Sequence, residues 1–184
     1  GGNIGRVNRH THQSRDIQPR ANYGEKLRWN WNTPIHLSPN EKGTIYIGAQ
    51  FLFRSRDQGQ TWDRISPDLT TNDAEHQRQE ESGGITVDNS SAEMYTTIYA
   101  ISESPKNGKV LWVGTDDGNV QITKDGGKSW KNVTANAGVP AGSWVSTIDA
   151  SRFDAGTAYV TFDRHTAGVM GPMVYKATDY GATW

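Results

Sequence analysis

The sequence predicts an all-β chain built from repeated antiparallel sheets, and three observations carry that prediction. First, one octad occurs three times. Ser55-Arg56-Asp57-Gln58-Gly59-Gln60-Thr61-Trp62 reads S-x-D-x-G-x-T-W, and Thr123-Lys124-Asp125-Gly126-Gly127-Lys128-Ser129-Trp130 reads T-x-D-x-G-x-S-W. Ala177-Thr178-Asp179-Tyr180-Gly181-Ala182-Thr183-Trp184 repeats it, with Ala177 at the Ser/Thr position. A recurring unit means a repeat fold. Second, short runs of β-branched and aromatic residues alternate with turn residues along most of the chain. Third, the 184 residues include 20 Gly, 7 Pro, 7 Trp and 7 Tyr, a composition suited to many short strands and tight turns.

Aligned on the octads, the strands fall into three units. Residues 32–69 give strands at 35–37, 44–49, 52–55 and 62–65. Residues 96–134 give 98–102, 110–115, 120–123 and 130–133. Residues 145–184 give 145–150, 158–162 and 174–177, an incomplete unit. Four short strands in 40 to 50 residues make one blade of a β-propeller, so the predicted architecture is a partial propeller of four-stranded blades. Residues 1–20 fit the end of a preceding blade, with a hairpin between 7–9 and 14–17. The octads are unevenly spaced because loops differ. Residues 70–95 read as a polar insertion between units, and 163–173 as a Gly- and Met-rich insertion within the third. A propeller closes as a ring, so an open set of blades reads as a segment of a larger ring, or one whose sheet edges a partner covers.

Within D-x-G-x-S/T-W each residue type has a structural task. The carboxylate can accept backbone N–H groups in a tight turn. The glycine allows positive φ. The hydroxyl bonds locally, and the Trp buries a large ring between blades. Ser55, Asp57, Gly59, Thr61 and Trp62 are therefore read as a staple, not as reactive groups. The same holds for Thr123, Asp125, Gly127, Ser129 and Trp130, and for Asp179, Gly181, Thr183 and Trp184.

These octads resemble the Asp-box, or BNR repeat, of propellers found in sialidases, sortilin-type receptors and several glycoside hydrolase families. The runs Gly43-Thr44-Ile45-Tyr46-Ile47-Gly48 and Lys109-Val110-Leu111-Trp112-Val113-Gly114 resemble those of bacterial secreted proteins built from such repeats. The resemblance runs from about Trp31 to Trp184. It implies an extracytoplasmic setting: periplasmic, cell-surface or secreted. It implies no single activity, because catalytic and purely binding propellers share the repeat.

The net charge of -1 argues against a dedicated nucleic-acid binder. The mean hydropathy of -0.75 comes with no apolar run of about 18 residues, so no membrane span is expected, though docking on a membrane complex stays open. Charge is polarised nonetheless. Residues 1–28 hold six basic residues against Asp16 and Glu25, and residues 68–93 hold seven acidic residues against Arg78. Such runs are either solvated loops or oppositely charged faces that orient a partner. With no cysteine, disulfides play no part. The chain begins at Gly1 with no signal-peptide pattern, which reads as a processed product or a piece of something longer.

Glycoside cleavage needs two carboxylates at a set separation. Asp88, Glu93, Asp116, Asp117, Asp149, Asp154 and Asp163 are loose candidates, but no spacing ties two of them together. Arg28, Arg54, Arg56, Arg64 and Arg152 are available for an anionic sugar, without a motif. No catalytic residue is assigned. His10 and His12 could form a metal pair but lack a third ligand, so no metal or other cofactor is expected. Asp116-Asp117-Gly118-Asn119 reads as a hairpin turn and not a calcium loop. Trp29 and Trp31, at i and i+2 of an extended segment, would face one way and form a platform for a sugar or a protein, or else pack on the neighbouring blade. Asp163, Arg164 and His165, opening the last insertion, are the second candidate binding group. The sequons at Asn89 and Asn132 carry no weight without the host.

The expected function is a non-catalytic extracytoplasmic interaction or scaffold module. It would be part of a larger propeller or an accessory subunit docked on a larger assembly. Its partners would be other protein subunits or the rest of the propeller, with glycans as a further class. The alternative is part of a glycan-active enzyme, sialidase-like or glucanase-like, whose active-site residues lie partly outside this stretch.

Overall fold

A computed structural model describes residues 2–22, 24–78 and 94–184. Asp88, Glu93 and the Asn89 sequon lie outside the described residues, as does much of the acidic run. The chain forms four antiparallel sheets in succession. The first is a hairpin of β1 (Gly5–Val7) and β2 (Ser14–Asp16). The second holds β3 (Ile35–Leu37), β4 (Ile45–Gly48), β5 (Leu52–Ser55) and β6 (Asp63–Arg64). The third holds β7 (Ile98–Glu103), β8 (Leu111–Thr115), β9 (Val120–Thr123) and β10 (Lys131–Asn132). The fourth holds β11 (Trp144–Ala150), β12 (Ala158–Arg164) and β13 (Val169–Ala177). Within each sheet, neighbours in sequence are neighbours in space.

The sheets stack face to face, and each interface has its own core. Ile4, Ile17, Trp29, Ile47 and Phe53 fill the first. Tyr46, Leu52, Ile65, Ile98, Ile101 and Val113 fill the second. Trp112, Val120, Val133, Val145, Val160 and Phe162 fill the third. The middle strands β4, β5, β8 and β9 are buried on both faces, which is why their sequences read as nearly continuous apolar runs. Close approach shapes these interfaces. A Cβ on Gly48 would lie 2.5 Å from Ile98, and one on Gly114 would lie 2.3 Å from Val145, so a glycine at or next to the end of β4 and β8 lets the next sheet in.

The octads sit at the hairpins β5–β6 and β9–β10 and just after β13. Asp57 accepts the Thr61 N–H at 2.9 Å and the Thr61 hydroxyl at 2.7 Å. Asp125 does the same with Ser129, at 2.9 and 2.5 Å. Asp179 does so with Thr183, at 2.9 and 2.6 Å. These bonds hold all three carboxyls below the usual range, Asp57 at about 2. The first hydroxyl of the octad also accepts the glycine N–H, as Ser55 does from Gly59 at 2.7 Å and Thr123 from Gly127 at 3.0 Å. Ala177 lacks this bond. Each octad Trp donates its indole N–H to the preceding sheet: Trp62 to the Ile17 carbonyl, Trp130 to Ile65 and Trp184 to Val133. The octad therefore staples its own turn and clamps the sheet before it. Asp125→Ala is expected to lower the melting temperature while leaving the opposite end of the strands unchanged, as read by calorimetry and by ligand binding there. Because the octad carboxyls are held low in the fold, their contribution is full above about pH 4 and is lost as pH falls through about 2.

Two expectations need correction. The hairpin at 7–9 and 14–17 is shifted, because Asn8 leaves the strand to accept the His10 and Thr11 N–H groups in the turn. Residues 163–173 are not an inserted loop. β12 and β13 run through them, with Phe162 opposite Met173 and Arg164 opposite Val169 around one 3-10 turn at His165–Ala167. Gly168, Gly171 and Pro172 read as loop residues, yet Pro172 is tolerated because β13 is an edge strand.

Candidate functional site

Up-and-down connectivity divides the molecule into two ends. The octad hairpins lie at one end. The β4–β5, β8–β9 and β12–β13 hairpins, together with the connections between sheets, lie at the other. At that second end Asn30, Tyr95, Asp116, Trp144, Asp163 and Arg164 surround a cleft of about 180 Å³. Asn30, Tyr95 and Trp144 come from sheet-to-sheet connections or their ends, and Asp116, Asp163 and Arg164 from hairpins.

A dense polar network holds the cleft floor. Thr97 donates its backbone N–H at 2.8 Å and its hydroxyl at 2.6 Å to Asp116, and Asn30 adds its amide at 3.1 Å. Thr96 beside it is fully buried and has φ of 59°, a strained conformation for a β-branched residue. Arg28 locks that backbone: its guanidinium donates to the Thr96 carbonyl at 3.0 Å, to Asp68 at 2.6 Å and to the Thr70 hydroxyl at 3.1 Å. Asp117 accepts the Thr71 N–H at 2.8 Å and hydroxyl at 2.7 Å. Loops from three sheets are thus tied to one buried hairpin, and the strain at Thr96 persists because its neighbours over-determine it.

Burial pushes the Asp116 carboxyl up to about 7, against the hydrogen bonds from Thr97, which favour the ionised form. Asp163 is held low, first by the N–H of His165 at 2.8 Å and then by the His165 ring at 2.8 Å. The cleft therefore pairs one carboxyl biased towards its acid with one biased towards its anion. Because the native state keeps the Asp116 proton that the unfolded chain gives up, the stability this group contributes is full below about pH 4 and is lost as pH rises through about 7.

The structure gathers one predicted group and divides the other. Asp163 and Arg164 line the cleft, and His165 is tied to Asp163. Trp29 and Trp31 do not share a face. Trp29 is buried and stacks on Phe53 at 6.3 Å between centroids, whereas Trp31 is 62% exposed. The chain turns at Asn30–Thr33, where Asn32 N–H binds the Asn30 side chain and Thr33 binds the Asn30 carbonyl, so strand alternation does not apply. Asp154 caps the β11–β12 hairpin at the octad end. No group of three metal-ligating side chains occurs among the described residues. Sequence reading missed Trp144, whose indole N–H is buried without an acceptor, and Tyr95. The signal available was position alone: Tyr95 stands just before β7, and Trp144 opens β11.

No protein-family model matches the chain, and no curated protein matches it. Solved structures do. An ancestral GH74 enzyme superposes with a TM-score of 0.56 and 14% identity, over 87% of this chain and 18% of its own length. YCF48 from Cyanidioschyzon merolae superposes with a TM-score of 0.50 and 15% identity, over 83% of this chain and 36% of its own length. The chain thus spans well under half of each, and at these identities the likeness is one of fold. No helix among the described residues is long and apolar enough to cross a membrane. The described residues form an all-β structure of successive antiparallel sheets, that of a partial β-propeller.

Proposed function

We propose that this chain is a non-catalytic interaction module that receives its ligand in the cleft of Asp116, Trp144, Asp163 and Arg164. One observation carries the reading: the carboxyl biased towards its acid is closed off inside the protein. Asp116 is 5% exposed and takes three hydrogen bonds from Thr97 and Asn30 on its two oxygens, while Asp163 is tied to His165 through Oδ1. An acid that transfers protons to substrate needs an oxygen free to meet it. Arg164 has no ion pair among the described residues, and Trp144 offers an aromatic face braced by Tyr99 at 4.7 Å. These two are the groups left to hold a ligand.

The repeated turn chemistry supports reading the octads as Asp-boxes, and with it an extracytoplasmic setting as in the proteins they resemble. In this reading 32–69, 96–134 and 145–184 are consecutive blades, 1–20 closes the preceding one, and 70–95 is a polar insertion between the first two. Protein subunits or glycans are the partners that such a cleft would serve.

A second reading, a glycan-active enzyme, is favoured by the opposed titration of Asp116 and Asp163, the pattern of a general acid facing an ionised partner. One experiment separates the two. The protein is incubated with soluble β-glucans, sialylated glycans and aryl glycosides, and both released reducing ends and retention on the immobilised glycans are measured. The module reading expects no turnover, with retention weakened about tenfold or more by Arg164→Ala and kept by Asp116→Asn. Turnover that Asp116→Asn abolishes, with a limb of the pH profile near 7 in the unsubstituted protein, would establish the enzyme instead.

A further inference from the structure

A second site lies at the octad end and is independent of the cleft. A groove of about 710 Å³ runs between the second and third sheets, in the size range of ligand-binding clefts. Arg54, Arg56, Arg64, Lys109, Lys124 and Lys128 line it against Glu41, Glu103 and Asp125, so it concentrates positive charge on a chain whose net charge is -1.

The three acids are committed elsewhere. Glu41 pairs with Arg56 at 3.5 Å, Asp125 closes its own turn on Ser129, and Glu103 accepts from Ser38 at 3.0 Å and Asn40 at 2.5 Å. Several of the cations are not. Lys109, Lys124 and Lys128 meet no carboxylate at ion-pair distance among the described residues; Lys124 lies over the Tyr180 ring at 5.2 Å. Arg54, with a side chain 17% exposed, reaches Asp63 only at 3.9 Å and the Gly126 carbonyl at 3.4 Å, and its buried Nε has no acceptor.

We infer that this groove binds an acidic peptide segment of a partner protein. Two features select peptide over other anions. Glu103, buried and held by Ser38 and Asn40, sets a carboxylate beneath the groove floor, which disfavours a compact polyanion more than a chain whose charges are spaced apart. The one aromatic residue lining the groove, Tyr46, is 3% exposed, so a sugar ring finds no face to stack on. An extended peptide meets both demands, since it needs no aromatic platform and spaces its side-chain carboxylates over Lys109, Lys124 and Lys128.

The test uses the full chain and a fluorescein-labelled oligoglutamate peptide, read by anisotropy at low and raised salt. Binding is expected, weakening as salt rises. The combined Lys109→Glu, Lys124→Glu and Lys128→Glu variant is expected to lose affinity about tenfold or more, and Lys176→Glu on β13 to stay within about twofold. Melting curves check that each variant folds; should the triple variant fail, Lys128→Glu alone is expected to lose about threefold. No binding, equal binding by the triple variant, or tighter binding of heparin with the same loss in that variant would overturn the proposal, the last in favour of a sulfated glycan.

Discussion

Gly127→Ala is expected to destabilise the protein by about 2–4 kcal/mol, far more than its half-exposed position in a turn suggests. Two effects combine. The residue has φ of 96°, where a Cβ is strained, and that Cβ would lie 2.6 Å from the Ile65 carbonyl oxygen and 2.9 Å from the Ile65 Cβ. The obstacle is backbone of the preceding sheet, which cannot swing aside as a side-chain tip would. The same carbonyl accepts the Trp130 indole N–H at 2.9 Å, so pushing it away also loosens the clamp. Gly126→Ala is the control. Gly126 also has positive φ, but nothing lies within 4 Å of its added Cβ. Its counterparts in the other octads, Gln58 and Tyr180, both sit at φ of 61° without glycine. Gly126→Ala should therefore cost about 1 kcal/mol or less. Urea denaturation of the two variants gives the difference, which measures the inter-sheet contact apart from the turn. Equal losses would mean that the octad shapes only its own hairpin.

That contrast shows which parts of the structure the sequence exposes. The octads are legible because turn chemistry is local: Asp125 and Ser129 are four positions apart, and their residue types disclose the bond. The strands of the second and third sheets are legible for the same reason, as apolar runs punctuated by turns. The clamp is not. Ile17, Ile65 and Val133 accept the octad indoles across 45, 65 and 51 positions, and nothing in an isoleucine signals that its carbonyl is a partner. The first hairpin shows this most clearly, since it carries no octad of its own and its Ile17 still receives Trp62.

The cleft was legible only in part for a related reason. Asp116-Asp117-Gly118 does form the hairpin turn its residues suggest, with the Gly118 N–H on the Thr115 carbonyl. What turns Asp116 into a buried carboxyl is Asn30, 86 positions away, and Thr97, 19 positions away. Asp163 and Arg164 came to notice through a supposed insertion that proved to be strand, so they reach the cleft by extension of β12. The Trp pair failed because alternation presumes a strand, and the backbone at Asn30 turns.

Trp112→Ala is expected to cost about 3–5 kcal/mol. Trp112 is fully buried on β8, meets Trp184 edge to face at 6.0 Å, and lies against Gly181, whose added Cβ would come within 3.3 Å of it. It fills the core between the third and fourth sheets, where its buried neighbours are mostly β-branched, such as Val120, Val133, Val145 and Val160, and collapse poorly into the space it would leave. Its indole N–H, however, is buried without an acceptor, a penalty of about 1–3 kcal/mol that the fold carries. Trp112→Phe removes that donor along with part of the ring, so the two changes oppose each other and the net loss should be about 2 kcal/mol or less. A loss from Phe as large as from Ala would mean that the N–H is satisfied after all. Hydrogen exchange locates the effect: in Trp112→Ala the amides of β11, β12 and β13 should exchange faster, whereas those of β3 to β6 should change least, because their cores lie on the other side of the third sheet.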